Sequence, residues 1–289
     1  MEFSNDSKLK SYLKSESKRL GISIQNTYNT FFSRILLERV SKISYDSLYV
    51  KGSFSEIAHL NKMIRPITDI DLVSTKYHND PLLALYRAMC DTNGSLYYEL
   101  TDIPKQTKTG IYKIHIVAHF GKIHHPISID FQELSSTIYE KDYKRIDPIF
   151  KGDSHFYIYT PSYEEHLAEK MCIVVESNKM DVLNTRVKDF YDIYKLCGGN
   201  YNKEKLSYFF YNMLKDRKKI KMEDVSVNHL NQKYILSHQE LWNMMSKKYE
   251  FLDKELSFDE AVFTTKEKIQ NEIENLDEQK VKKIKLKNV

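Results

Sequence analysis

The sequence lacks the cysteine patterns of disulfide-rich and zinc-binding proteins. Its three cysteines, Cys90, Cys172 and Cys197, are widely spaced, and no two of them form a Cys-x-x-Cys pair. An odd number of dispersed cysteines is typical of reduced packing residues in a cytoplasmic protein. We therefore expect three free thiols and no structural zinc site.

The sequence also lacks a segment suited to secretion or to crossing a membrane. Its longest uninterrupted apolar run extends only from Met171 to Val175, whereas a helix that spans a bilayer needs about 20 apolar residues. The first twenty residues contain several lysines and Arg19 but no apolar stretch of the kind found in signal peptides. We expect a cytoplasmic protein without a membrane partner.

A strong net charge is absent as well. The chain has 44 Lys and Arg residues against 40 Asp and Glu residues, for a formal net charge of +4. Affinity for nucleic acid must therefore come from local patches rather than from a global field. With 289 residues, of which 41% are hydrophobic, the chain is long enough for one large domain or two smaller ones with real cores.

Hydrophobic periodicity divides the chain into two halves. Residues 8–42 have helical spacing with a break at Gly21, and alternating or apolar runs then predict strands in a mixed sheet. From residue 160 the pattern is helical, and Thr160-Pro161-Ser162 followed by Glu165 predicts a helix start with a capping box. We predict an α+β fold with a first domain of residues 1–157, which includes the helical lead-in, and a helical second domain of residues 158–289.

Carboxylates on predicted strands are the strongest chemical signal in the first half. Asp69 and Asp71 alternate with Ile70 and Leu72, so both carboxylates lie on one face of the strand, about 7 Å apart. Asp130 lies on the polar face of a second predicted strand, which we expect to adjoin the strand of Asp69 and Asp71. Such a set predicts a site for Mg²⁺ or Mn²⁺ that holds nucleotide phosphates, with Asp130 as a further ligand or as a base on the attacking hydroxyl.

A turn of small residues precedes these acids. Gly52 and Ser53 follow a short apolar strand and precede a predicted helix, whose amino end offers unpaired N–H groups to a phosphate. Lys51, at the end of the strand, is either a solvated charge or a nucleotide contact. Arg65 is either a surface charge or a contact to the substrate phosphates.

The second half contains two further charged motifs. Lys170 lies on a predicted helix, where a lysine considered alone is typical of an exposed surface residue. Arg186 and Asp189, and likewise Lys188 and Asp192, are neighbours on the next predicted helix at spacings that allow intrahelical ion pairs. The sequence alone leaves open whether these charges form such pairs or contact a ligand.

Taken together, these motifs resemble the AbiEii/MenT nucleotidyltransferase toxins, members of the polymerase-beta-like superfamily. The matching stretches run in the expected order from about residue 48 to residue 197, and residues 200–289 match nothing that we can place in that family. The family often has Gly-Gly where this chain has Gly52-Ser53. The motifs are Lys51-Gly52-Ser53, Arg65 with Asp69 to Leu72, Ile129-Asp130-Phe131, Glu169-Lys170 and Arg186 to Ile193.

The resemblance implies a bi-lobed protein with a mixed-sheet nucleotidyltransferase lobe and a helical C-terminal lobe. It implies that Asp69 and Asp71, together with Asp130, bind the metal ion, and that Gly52 and Ser53 hold the triphosphate. The expected catalytic residues are Asp69, Asp71, Asp130, Lys170 and Asp189. The expected nucleotide-binding residues are Lys51, Gly52, Ser53, Arg65, Lys170, Arg186, Lys188 and Asp192.

The resemblance also implies a function. It indicates a toxin with a cognate antitoxin protein, which transfers a nucleotide from an NTP, with CTP as the expected donor, to the 3′ end of tRNA and so blocks aminoacylation and translation. Two alternatives stay open from the residues alone. The acceptor could be a protein or small-molecule hydroxyl, or the chain could be a catalytically inactive regulator that binds nucleotide or RNA.

Overall fold

The computed structural model describes residues 3–43, 48–75, 81–90, 95–108, 110–134, 140–177, 186–217, 221–248 and 255–275. The chain forms two compact units, Met1–Pro161 and Ser162–Val289. The predicted domain boundary after residue 157 falls inside the last strand of the first unit, Phe156–Pro161.

The first unit begins with the predicted pair of helices, α1 (Asp6–Leu20) and α2 (Ile24–Ile43). Gly21 ends α1 in the left-handed conformation at φ 64°, where its N–H donates to the carbonyl of Ser17. Glycine adopts this conformation without the strain that a Cβ brings, so the break falls where the sequence predicts it.

A mixed sheet follows the helical pair. Strand β2 pairs with β6 in parallel, whereas the pairs β1–β2, β5–β6, β3–β5 and β4–β5 are antiparallel. The strand order is β1-β2-β6-β5-β3, with β4 beside β5, and β7 and β8 form a separate antiparallel pair. The elements are β1 (Leu48–Lys51), α3 (Gly52–Leu60), β2 (Ile70–Thr75), α4 (Pro81–Cys90), β3 (Leu96–Leu100), β4 (Lys105–Gln106), β5 (Ile111–Phe120), β6 (Ile123–Leu134), β7 (Lys141–Ile146) and β8 (Phe156–Pro161).

The boundaries near the acids differ slightly from the sequence expectation. Helix α3 begins at Gly52 itself, and Asp69 lies immediately before β2 rather than in it. Pro161 ends β8 instead of opening the next helix, which Ser162 caps by accepting a hydrogen bond from the backbone N–H of Glu165. Strands β3, β4, β7 and β8 are not predicted from the sequence.

The described residues of the second unit form helices without a strand. Their core contains Leu167, Phe190, Phe210 and Phe258, all of which are buried. This arrangement confirms the predicted α+β fold with a mixed sheet and a helical C-terminal part. The helices are α5 (Tyr163–Glu176), α6 (Lys188–Cys197), α7 (Lys203–Arg217), α8 (Gln232–Lys248) and α9 (Phe258–Glu274), with a 3₁₀ turn at Met222–Asp224.

The cysteines are all free thiols, as expected, but only two of them serve packing. Cys172 is buried and Cys197 is half-buried, whereas Cys90 is exposed on α4. Burial raises the pKa of Cys172 to about 12 and that of Cys197 to about 11, so both thiols stay protonated at neutral pH. In the described part of the chain, no helix combines the length and the apolar character needed to cross a bilayer.

Candidate active site

The centre of the candidate site in the first unit is a close contact between Gly52 and Asp71. Gly52 has φ 60°, and a Cβ added there would lie 1.9 Å from Asp71 Oδ2 and 2.9 Å from Asp71 Cγ. The Asp71 carboxylate therefore occupies the space that any larger residue at position 52 would need. Position 52 requires glycine both for its backbone conformation and for this contact.

Four charged residues form a row across the sheet at this point. The register places Lys51 of β1 opposite Asp71 of β2, Asp71 opposite Asp130 of β6, and Asp130 opposite Lys113 of β5. Residues in register on neighbouring strands share one face of a sheet, and the strands are about 4.8 Å apart. The row thus has two carboxylates in the middle and a lysine at each end.

Alternation along the strands separates this charged row from the core. Ile70 and Leu72 flank Asp71, Ile129 and Phe131 flank Asp130, and all four are buried. Asp71 and Asp130 are less buried than these apolar neighbours. The expectation that Asp130 lies on the strand adjoining that of Asp71 is met by the parallel pairing of β2 with β6.

Lys113 holds Asp130 in this arrangement. Lys113 Nζ forms an ion pair and a hydrogen bond with Asp130 Oδ2. Asp69 lies before β2 and accepts a hydrogen bond from Thr68 Oγ1 at 3.1 Å. Among the described residues, no three His, Cys, Asp or Glu side chains are placed to hold a metal ion together.

The donor set nevertheless fits a hard divalent cation. Mg²⁺ is commonly bound by one or two protein carboxylates and completes its coordination with substrate phosphates and water. Asp69 and Asp71, two residues apart, supply such a pair, and the carboxylate of Asp71 lies against Gly52. A bound ion would neutralise charge on the phosphates of a nucleotide. Asp130, whose carboxylate binds Lys113, then remains a candidate base or further ligand.

The start of α3 fits a phosphate group. Lys51, the N-cap residue of α3, makes no side-chain capping hydrogen bond to the first turn of the helix. Ser53 Oγ is buried and finds no hydrogen-bond partner among the described residues. A helix amino end with an unused hydroxyl beside it offers hydrogen-bond donors to an anion.

The interpretation of Arg65 as a surface charge is wrong. Arg65 is buried, and its Nη2 lies 3.4 Å from Oε1 of Glu56, a fully buried residue of α3. Buried ion pairs hold neighbouring segments in one geometry, since removal of either partner leaves an uncompensated charge. Arg65 therefore connects the chain before β2 to the helix that begins at Gly52.

The second unit contains its own cluster of charges, and Lys170 is its centre. The side chain is not an exposed surface lysine, because the residue is only 6% exposed. Its Nζ lies 2.7 Å from Asp192 Oδ2 and 3.5 Å from Asp189 Oδ1, and both aspartates are buried. Arg186 Nε reaches Asp189 Oδ2 at 2.8 Å, so the expected pair forms, although Arg186 lies before the first residue of α6 and not within the helix.

These residues are brought together by the packing of α5 against α6. Phe190 and Ile193, buried on α6 with the two aspartates, place the acidic side of the helix in the interior rather than at the surface. Two buried carboxylates and two cations balance each other in charge. Lys188, the remaining predicted residue, is half-buried at the first position of α6.

Sequence reasoning missed Lys113 and Glu56. For Lys113 the signal was present, because a two-residue turn at Gly121 and Lys122 puts Phe120 opposite Ile123 and, by counting back, Lys113 opposite Asp130. Glu56 had no such signal, since its partner Arg65 belongs to an irregular segment whose path the sequence does not fix.

Two solved structures are similar in fold to this chain. JHP933 from Helicobacter pylori has a crystal structure similar to this one at a TM-score of 0.53 and 15% identity, covering 92% of this chain and 99% of that chain. A proposed nucleotidyltransferase from the same organism is similar at a TM-score of 0.52 and 15% identity, covering 86% and 96%. At this identity the likeness shows the fold alone. No curated protein sequence matches the chain.

The family profile described as nucleotidyl transferase AbiEii toxin, type IV toxin–antitoxin system, matches residues 34–264. The match extends on both sides beyond the stretch from 48 to 197, and it includes residues 200–264, which the sequence motifs alone do not place in the family. The predicted enzyme class is confirmed. The chain belongs to the AbiEii family of nucleotidyl transferase toxins.

Proposed function

We propose that the chain transfers a nucleoside monophosphate from an NTP, with CTP as the expected donor, to the 3′ end of an RNA, which we expect to be tRNA. The observation that supports this most directly is the row of Lys51, Asp71, Asp130 and Lys113 beside the start of α3. In-line phosphoryl transfer is mainly a matter of position and charge stabilisation, and this row supplies both acids and cations at one place.

Each residue of the first unit has a proposed task. Asp69 and Asp71 would hold Mg²⁺, or Mn²⁺ in its place, and the ion would supply charge neutralisation on the triphosphate. The first turn of α3, with the Ser53 hydroxyl, binds phosphate oxygens. Asp130, once its carboxylate is released from Lys113, accepts the proton of the attacking ribose hydroxyl. The hydroxyl oxygen bonds to the α-phosphorus of the NTP, and pyrophosphate leaves.

The residues of the second unit have a proposed role in nucleotide binding. Lys170 is oriented by Asp192 and Asp189, and a lysine so fixed contacts a phosphate with less loss of side-chain freedom than a mobile one. Arg186 and Lys188 add positive charge at the start of α6. Asp189 thereby acts on Lys170 and Arg186 and serves as the further essential acid.

Membership of a toxin–antitoxin family implies a cognate antitoxin. We propose that this partner is a protein, that the toxin acts in the cytoplasm, and that modification of the tRNA end blocks aminoacylation and so translation. An acceptor hydroxyl on a protein or a small molecule is the main alternative.

The test is a transfer assay with the purified full-length chain. The protein is incubated with Mg²⁺ and each α-labelled NTP in turn, first with total RNA and then with protein extract. The test variant is Asp71→Asn, which keeps the side-chain volume beside Gly52 and removes the charge. The matched control is Asp142→Asn, at a partly exposed aspartate of β7.

We expect label in tRNA with the wild type and with Asp142→Asn, but not with Asp71→Asn. If label enters protein instead, and is lost in the same way with Asp71→Asn, the acceptor is a protein hydroxyl and not the tRNA end. If the wild type binds nucleotide but labels no acceptor with any NTP, the chain is a regulator and the proposal is refuted. Omission of the divalent ion, with EDTA present, should abolish the label.

A further inference from the structure

The paired strands β7 and β8 present an outer face rich in tyrosine. Their register places Lys141, Tyr143 and Arg145 opposite Pro161, Tyr159 and Tyr157, so these residues share one face, while Ile146, Phe156 and Ile158 point to the core. We call Tyr143, Tyr157, Tyr159, Lys141 and Arg145 the tyrosine face. Large aromatic side chains on a solvent-facing sheet need an explanation, because apolar rings gain stability from burial.

The ring of Tyr143 contacts the rings of both other tyrosines, stacked on Tyr157 and tilted against Tyr159. Tyr143 and Tyr157 have centroids 5.1 Å apart with an interplanar angle of 17°, and Tyr143 and Tyr159 are 4.8 Å apart. Despite these contacts Tyr143 is 60% exposed and Tyr157 is 39% exposed. The result is a continuous aromatic surface whose outer part is open to solvent.

Cations flank the rings. Lys141 Nζ lies 5.3 Å from the centroid of Tyr159, and Arg145, more than half exposed, pairs with Asp147 just after β7. Asp142 and Lys144 belong to the opposite face of β7, where they pair with each other. The five residues of the tyrosine face therefore include two cations, and the charge of one of them, Arg145, is balanced by Asp147 at 2.7 Å.

A cavity of about 410 Å³ opens beside this face. The tyrosines form one wall, and Val40 and Val50 belong to the other. Ser41 and Lys42 also line the cavity, and both are bound to Glu38: Ser41 Oγ donates to its backbone carbonyl, and Lys42 Nζ pairs with its carboxylate at 3.0 Å. The volume lies within the range of about 300 to 1,000 Å³ that is usual for pockets that bind small ligands.

We propose that the tyrosine face binds unpaired bases of single-stranded RNA, with one base entering the adjoining cavity. This inference rests on the proposed function, for which it provides a place on the first unit where the acceptor strand is held. Every nucleobase has an apolar π-face that stacks on an aromatic ring, and the backbone phosphates are attracted by neighbouring lysine and arginine side chains.

The charges favour RNA over a protein partner as the occupant. Protein interfaces are also enriched in tyrosine and arginine, but the cations here alternate with rings along one strand. The ion pair of Arg145 with Asp147 is exposed to solvent, where such pairs are weak enough for a phosphate to take the place of the carboxylate. Single-stranded RNA complements that pattern, because its bases can stack on the rings and its phosphates can contact the cations. RNA duplexes fit it poorly, because their bases are stacked and paired.

The experiment measures RNA binding by the full-length protein without NTP or metal. A fluorescent single-stranded RNA of about 12 nucleotides, within the usual site sizes, is titrated by anisotropy. The test variant is Tyr143→Leu with Tyr157→Leu, which keeps apolar volume but removes the rings. Tyr143→Phe with Tyr157→Phe retains the rings, and Tyr97→Leu, at a residue of β3 that is 46% exposed, is the matched control.

We expect the Kd of the leucine pair to rise at least about fivefold, while the phenylalanine pair and Tyr97→Leu stay within about twofold of wild type. A 2-aminopurine base in the RNA should be quenched on binding by the wild type and less by the leucine pair. If the leucine pair and the wild type bind the RNA equally well, the inference is wrong. If the leucine pair has also lost binding to a protein, the tyrosine face is a protein interface instead.

Failure of the proposed function gives a different result. If the wild type transfers label to RNA and the leucine pair binds RNA as tightly as the wild type, the inference alone is wrong. If the wild type labels no RNA while the leucine pair has lost affinity for single strands, RNA binding by the tyrosine face stands and the proposed transfer reaction is wrong.

Discussion

Substitution of Gly52 by alanine tests the central contact of the candidate site. The backbone of Gly52 has φ 60°, and the new Cβ would meet Asp71 Oδ2 at 1.9 Å. To restore an ordinary contact of 3.4 Å, the carboxylate must move by about 1.5 Å. A displacement of about 1 Å in a catalytic group can lower a rate 100-fold. We therefore expect Gly52→Ala to lose at least about 99% of transfer activity.

The chain offers a matched control for the backbone effect. Gly21 has φ 64°, and no described heavy atom lies within 4 Å of the position where its Cβ would be. Gly21→Ala should therefore show the conformational cost alone, about 1 to 2 kcal/mol. Gly52→Ala should show that cost in urea denaturation together with the loss of activity, whereas Gly21→Ala should keep its activity.

The reasoning is refuted by one clear result. If Gly52→Ala retains more than about a tenth of wild-type transfer activity while its stability falls as in Gly21→Ala, Asp71 does not need the position that Gly52 gives it. A second substitution, Asp71→Ser in the Gly52→Ala background, should recover only the stability that is lost beyond that of Gly21→Ala, because it removes the clash but not the backbone cost, and it should not recover activity.

Three further predictions follow from the buried and charged groups. Lys170→Met should lower the free energy of unfolding by about 3 to 5 kcal/mol in urea denaturation, because Asp192 is left buried without its lysine. The double variant with Asp192→Leu should lose less stability than the sum of the losses in the two single variants. If the two losses simply add, Lys170 and Asp192 do not stabilise each other. Burial lowers the pKa of His125 to about 4 from 6.5, so the unfolded state binds a proton that the folded state does not, and stability should fall as the pH drops from 6.5 to about 4. In His125→Gln that fall should be shallower in denaturant titrations, and an unchanged slope would show that other groups cause it. Asp130→Asn should reduce the transfer rate at least about 100-fold while stability changes by less than about 1 kcal/mol, since its ion pair is partly exposed; an unchanged rate would exclude a role for Asp130 as a base.

The sequence predicts the acid-bearing part of the sheet well, for a physical reason. Strands repeat every two residues, so alternation in the stretches around Asp71 and Asp130 fixes which side chains share a face. The turn at Gly121 and Lys122 is short enough to define the register of β5 and β6. Both β2 and β6 have one apolar face that must be buried, and pairing the two strands side by side buries both faces in the same core.

The structure of the second unit shows where such reasoning stops. Helical periodicity correctly predicts the helices, but it treats a charged residue as exposed unless a partner is near in sequence. Lys170 finds its partner Asp192 on the next helix, 2.7 Å away. Such a contact depends on how α5 and α6 pack, which local patterns do not encode.

The outer strands escape prediction for a related reason. Strand β7 is short and has charged or tyrosine residues at most positions, so it lacks the apolar alternation that identifies a strand. It is stabilised by pairing with β8, whose Phe156 and Ile158 are buried. Its conformation is set by that neighbour rather than by its own composition.

The parallel pairing of β2 with β6 has a consequence for the order in which the protein folds. The β5–β6 hairpin is closed by a two-residue turn, but β2 can join it only across residues 76–122, at a larger cost in loop-closure entropy. Asp71 and Asp130 therefore meet late, after β6 has been synthesised. A nascent chain that ends before β6 lacks this pairing altogether, so the acids come together only when the first unit is nearly complete.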